Sequence, residues 1–165
     1  MAARYAEKLH IVPVFAPAAT TTFLTYAVSL KNSHWVTFLI NMGVMTSDSS
    51  DVATVTVIAT DTMGNTSDAQ DTAIPFDYRL SAAVSDDDWG DKTSAEATGM
   101  TFSAADDGKA IVIDVNPDTI PALMSTAKGI RISVDGTNLV TTAGISVFAL
   151  IEDRYPQAEH LDATT

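Results

Sequence analysis

The chain contains no cysteine, so it carries neither a disulfide framework nor a thiolate metal site nor a thiol nucleophile, whatever compartment it occupies. Its stability must come from packing. Histidine is nearly as scarce. His10, His34 and His160 are scattered, and no H-x-H or H-E-x-x-H pair occurs, which removes the common ligand spacings of a metal enzyme. G-x-S-x-G, P-loop and G-x-G-x-x-G sequences are missing as well. Long hydrophobic runs are also lacking: the most apolar segment, Trp35–Met45, is too short to span a bilayer and is interrupted by Thr37 and Asn41.

Basic residues are few, nine Lys and Arg against 21 Asp and Glu, for a formal net charge of −12. Fifteen of those acids and only three of those bases (Arg79, Lys92, Lys109) lie between Asp48 and Asp118, and the remainder of the chain balances. Phosphate backbones are gripped by Lys and Arg in numbers, so the acidic middle excludes binding of DNA or RNA there. A partner for that region would be neutral or basic.

What the sequence does have is period-two patterning rich in Thr and Val, with no long stretch of apolar residues at helical spacing. The fold class is therefore all-β, and 165 residues suit one domain. Strands are expected near Phe23–Leu30, His34–Met42, Val52–Thr60, Ile74–Val84, Met100–Ala104, Ala110–Val115, Gly129–Val134 and Ile145–Ile151. Eight strands suit an antiparallel two-sheet β-sandwich over residues 23–151. Residues 1–22, with Pro13, Pro17 and a T-T-T run, and residues 152–165, with Pro156 and a polar end, read as extended N- and C-terminal arms.

Alternation assigns the inner faces. Ile130, Ile132 and Val134 point inward while Arg131, Ser133 and Asp135 meet water or a partner; Ile111, Ile113 and Val115 form a second buried row. Val36, Phe38, Ile40 and Met42 form a third, but Trp35 and Leu39 make the other face of that strand apolar too, so it is expected to be covered on both sides. Asp61–Asn65, Asp106–Lys109 and Asp135–Asn138 carry turn residues, and the Asp-Gly pairs read as hairpin turns. One helical turn is expected after Asn116, with Pro117 or Pro121 in its first turn.

Two acidic stretches invite a metal reading. S-D-D-D-W-G-D-K at Ser85–Lys92 could offer Asp86, Asp88 and Asp91 to a calcium ion, but the twelfth position from Asp86 is Ala97 rather than an acid. Asp61, Asp68 and Asp71 share a loop with nothing to fix them toward one point. Solvated turns are the expectation in both places, with no metal, cofactor or catalytic residue. Lys128, Arg131 and Arg154, with Arg4 and Lys8, could instead form a basic surface facing the acidic middle of another copy.

The opening Y-A-E-K-L-H-I-V-P-V-F-A-P, the segment A-V-S-L-K-N-S-H-W-V-T-F-L-I and the closing R-Y-P-Q-A resemble small head proteins of tailed bacteriophages, in particular the jelly-roll cement, or decoration, proteins of their capsids. The likeness covers both ends and the first third; Ser47–Gly108 matches only in strand rhythm. It implies a noncatalytic jelly-roll sandwich on the outer surface of the virion, made in the host cytoplasm. Such a protein would pair with itself as a dimer or trimer and bridge neighbouring major capsid proteins, touching neither nucleic acid nor membrane. Under it, contacts with other chains fall to His10, Ile11, Val12, Pro13, Val14 and Phe15, to His34 and Trp35, and to Arg154, Tyr155 and Pro156. The alternatives are a tail-associated or receptor module, with Trp35, Tyr78 and Trp89 as a sugar platform, and a metal-dependent jelly-roll enzyme.

Overall fold

A computed structural model describes residues 9–45, 52–83, 87–137 and 144–154. Their strands are β1 (Leu9–Ala18), β2 (Phe23–Leu24), β3 (Val28–Ser29), β4 (Ser33–Asn41), β5 (Val52–Thr60), β6 (Thr72–Ile74), β7 (Phe76–Leu80), β8 (Thr93–Ala95), β9 (Met100–Ser103), β10 (Ala110–Val115), β11 (Gly129–Thr137) and β12 (Ile145–Asp153). One sheet has the order β1-β12-β4-β10-β7-β8. The second runs β2-β11-β5-β6, with β3 also on β11 and β9 also on β5. Every pairing is antiparallel. The described residues include no helix long and apolar enough to cross a membrane.

The expected inner rows are the core. Val36, Phe38 and Ile40, with Ile111, Ile113 and Val115, pack in one cluster with Ala53, Val55, Val57, Ile130, Ile132 and Val134 of the second sheet. Removing such branched side chains from water stabilises the fold by about 1.5–3 kcal/mol each. The alternation in β10 and β11 is thus real: a residue of one parity is locked between the sheets and its neighbour faces out.

Twelve strands replace the expected eight, for identifiable reasons. Phe23–Leu30 breaks into β2 and β3, because Thr25 turns its hydroxyl to the Ile132 amide (3.0 Å) and Ala27 donates to Gly64 O. Ile74–Val84 is cut at Pro75, which has no amide for a ladder, and the two pieces join different sheets. β8 is three residues long and too polar to announce itself.

β1 corrects the N-terminal arm over residues 9–18. Instead of extending away, the segment pairs with β12 from Leu9↔Glu152 to Ala18↔Ile145. Pro13 and Pro17 are tolerated because β1 is an edge, where half of the amides have no ladder partner to meet. The register shifts on both sides of Phe15 bend the strand so that Val14 O accepts from Tyr26 N (3.0 Å) and Phe15 stacks on Phe23 at 3.9 Å, tying the two sheets together. Residues 1–8 and 155–165, including Tyr155 and Pro156, lie outside the described residues.

Two of the expected hairpins are not hairpins. Asp106–Lys109 follows a 3₁₀ turn (Ala104–Asp106) and carries the chain from β9 in one sheet to β10 in the other. Asp135 and Gly136 lie within β11, opposite Thr54 and Ala53. A Cβ at Gly136 would stand 2.5 Å from Thr21 Oγ1, so the glycine answers a close approach rather than a turn. The helical connection is as expected: Asn116 accepts from Asp118 N at 3.0 Å, a 3₁₀ turn spans Pro117–Thr119, and α1 (Ile120–Leu123) follows.

Candidate functional site

Cross-strand register sets the outer face of the first sheet. One row reads Pro13, Phe148, Leu39, Val112, Arg79 across β1, β12, β4, β10 and β7; the next reads Ile11, Leu150, Thr37, Asp114, Asp77. Trp35 stands one step further along β4, opposite Glu152. All of these have the parity opposite to the core residues, so they turn away from the second sheet. Ile11 and Trp35 are 49% and 38% exposed, Pro13 is exposed, and Leu39, Val112, Phe148 and Leu150 are half-buried between them. The result is an apolar patch crossing four strands and bounded by charge on the β7 side. Larger exposed apolar patches rimmed by polar residues are the kind of surface that other macromolecules contact.

Polar groups within the patch are held in place. Asp114 Oδ1 accepts from Thr37 Oγ1 (2.7 Å) and from Trp35 Nε1 (3.4 Å), which fixes the indole against the sheet. Asp77, at the charged margin, accepts from Lys92 Nζ (2.8 Å) and Ser94 Oγ (2.6 Å); the lysine bond first and the serine bond second hold its carboxyl below its ordinary value.

The expected contact residues divide. Ile11, Pro13 and Trp35 share the outer face. Val12, Val14 and Phe15 do not: Val14 is fully buried and the other two pack against the core. His10 also has the inner parity, and its Nε2 lies 3.8 Å from Asp153 Oδ2. His34 is exposed at the start of β4. Arg154 is engaged within the chain, its guanidinium on Asp118 and its amide on Asn32 O (2.7 Å). The sequence reading missed Phe148, Leu150 and Val112. The signal was present in V-F-A-L-I at Val147–Ile151, apolar at every position and therefore apolar on both faces.

Arg131 requires a further correction. It does point out of the second sheet, but the loop after β5 folds over it and leaves it 0% exposed. Its Nη1 donates to Thr66 O (2.6 Å) and Gly64 O (3.5 Å), and its Nη2 pairs with Asp71 Oδ2. Burial would raise the Asp71 carboxyl. Hydrogen bonds from the Asp68 amide, Arg131 and Thr60, with the charge of Arg131, outweigh it and hold that group below its ordinary value. A basic surface containing Lys128, Arg131 and Arg154 therefore does not form, because two of the three are already paired.

Bonds of the same kind occupy part of the acidic loop after β5, where Asp61 Oδ1 and Asp71 Oδ1 are nonetheless buried with no hydrogen-bond partner among the described residues. Asp68 and Asp71 serve backbone amides and Arg131 rather than converging on an empty point. Asp87, Asp88 and Asp91 are exposed around Trp89, which bridges Ser81. Among the described residues, no group of three or more His, Asp or Glu is placed to hold a metal ion. Nor is the sugar platform assembled, since Tyr78 pairs with Ile113 on the inner side of the sheet whose outer side bears Trp35. Comparison of the chain with protein-family models, with curated proteins and with solved structures finds no match in any of the three.

Proposed function

We propose that this chain is a noncatalytic cement protein of a tailed-phage head, which self-associates on the outer surface of the capsid and bridges neighbouring major capsid proteins against internal DNA pressure. The observation that carries the reading is the apolar outer face of Ile11, Pro13, Trp35, Leu39, Phe148 and Leu150 on a sheet that is otherwise well packed. Cohesion needs such a face and needs no bond-making group. A modest contact repeated over every unit of a shell adds up through multivalency, so no single copy must bind tightly.

The strand order supports a jelly roll. Taking β2 with β3 as one position on β11, and β6 with β9 as one position on β5, the two sheets read β1-β12-β4-β10 and β2/β3-β11-β5-β6/β9. That order agrees with the paired Greek-key wiring expected of an eight-position jelly roll, with β7 and β8 read as an extension beyond β10. This is the architecture that the sequence resemblance implies for capsid cement proteins.

The test is stoichiometry in purified particles, with and without the outer face. The natural chain is expected at a copy number matching symmetry multiples of the major capsid protein, and the Ile11→Lys, Trp35→Lys chain, changed only at exposed positions, is expected to be nearly lost from particles while folding normally. A handful of copies per particle, located on the tail, would refute the cement reading in favour of a tail module.

A further inference from the structure

We infer that the chain associates with itself head to tail, the Trp89 turn of one copy seating in a basic-rimmed groove at the far end of the next. The groove has a volume of about 470 Å³ and is lined by Ser29, Leu30, Lys31, Met63, Ala127 and Lys128. Its lining is largely apolar, from Leu30, Met63 and Ala127, and its two charged residues are both lysines. Those lysines are exceptional in this molecule. Seven Lys and Arg residues are described, and five are engaged within the chain: Arg79 on Gly90 O, Lys92 on Asp77, Lys109 on Asp106, Arg131 on Asp71 and Arg154 on Asp118. Lys31 and Lys128 alone have side chains with neither an ion pair nor a hydrogen bond among the described residues, and both border this groove. An occupant that is apolar at its tip and acidic at its flanks matches that chemistry.

The chain presents such a group. Trp89 is 42% exposed, with exposed Asp87 and Asp91 two residues to either side. The backbone at Trp89 and Gly90 is bonded to β7 and its end: Gly90 N donates to Leu80 O (2.9 Å), Arg79 Nη1 donates to Gly90 O (3.1 Å), and Trp89 bridges Ser81. A residue whose backbone is already held loses less freedom on docking, and tryptophan is among the residues enriched in the anchors that dominate interfaces.

The contact must be between copies. Ser81 N bonds Ala110 O at the start of β10, so the Trp89 turn sits at that end of the sandwich. The groove lies beside the start of β4, next to the other end of β10, where Val115 pairs with Val36. The six residues of β10 put roughly 20 Å between them. Each copy therefore offers one knob and one socket at opposite ends, a heterologous pairing that builds a ring or a row. It uses none of the outer face and does not depend on the capsid reading.

Sedimentation velocity of the full chain tests this. The natural protein is expected to associate reversibly with rising concentration, and less so as salt rises from about 0.05 to about 0.5 M, where charge contacts are screened. Trp89→Ala should weaken the association about thirtyfold or more. A Lys31→Glu, Lys128→Glu chain should be monomeric. Mixed in equal amounts, the two variants should form a one-to-one dimer and nothing larger, because one retains only the socket and the other only the knob. In a Trp35→Phe background, Trp89 emission should shift to the blue as the concentration rises. A natural chain that stays monomeric throughout, a mixture of folded variants that fails to pair, or a Trp89 emission indifferent to association would each overturn the inference.

Discussion

A buried guanidinium is tolerable only when most of its donors are answered, and both terminal nitrogens of Arg131 are answered by a single loop: Gly64, Thr66 and Asp71 all reach them from the β5–β6 connection, while Nε has no partner among the described residues. Deleting the arginine would strand the Asp71 carboxylate, whose side chain is only 13% exposed. Arg131→Met is therefore expected to cost about 3–5 kcal/mol, read from urea unfolding, and adding Asp71→Leu should recover much of it, because breaking a buried pair costs more than replacing it whole. The pair also has a pH signature. Asp71 titrates lower in the folded chain than its ordinary 3.8, so the stability it contributes is complete above that value and is lost as pH falls through the lower folded value. The stability gap between the natural chain and Asp71→Asn should accordingly be constant from neutral pH down to about 5 and shrink below about 4. Period-two reasoning put Arg131 on the correct side of its strand. Alternation reports which way a side chain points and says nothing about a loop 60 residues away in sequence that will cover it.

Among the elements, those written in repeated apolar alternation were legible and those fixed by contacts between sheets were not. β4, β5, β10, β11 and β12 fall within a residue or two of expectation except at the far end of β11, which runs three residues longer. β1 was hidden because prolines in an edge strand look the same in sequence as prolines in an arm; only its partner β12 distinguishes them. The same holds for the glycine ahead of β9. Gly99 has φ +88°, and a Cβ there would stand 2.3 Å from Val55 O in the strand that β9 pairs with. Gly99→Ala should thus cost at least about 1–3 kcal/mol through backbone strain, and more through the clash. Hydrogen exchange would show the loss concentrated at the β5–β9 amides, while the β4–β12 ladder, in the other sheet, keeps its protection up to global unfolding. A uniform loss, or none, would contradict the packing described at this crossing.

For the molecule as a whole, the two contact regions we propose do not overlap. The apolar patch lies on the broad outer face of the first sheet, whereas the knob and socket lie at the ends of the sandwich. The function we propose needs both. The face would hold a copy to the shell, and the end-to-end contact would link copies, so that neighbours share the load and binding becomes cooperative. The two regions should then fail separately. When particles stripped of this protein are titrated with it, Ile11→Lys, Trp35→Lys should abolish attachment but leave sedimentation in free solution unchanged. Trp89→Ala should still attach, with a binding curve that loses its sigmoid shape and moves to higher concentration. Heat resistance of the refilled particles should follow occupancy for both variants. If Trp89→Ala attached with an unchanged sigmoid curve, linkage between copies would play no part on the shell; if the face variant also lost self-association, the two regions would be one.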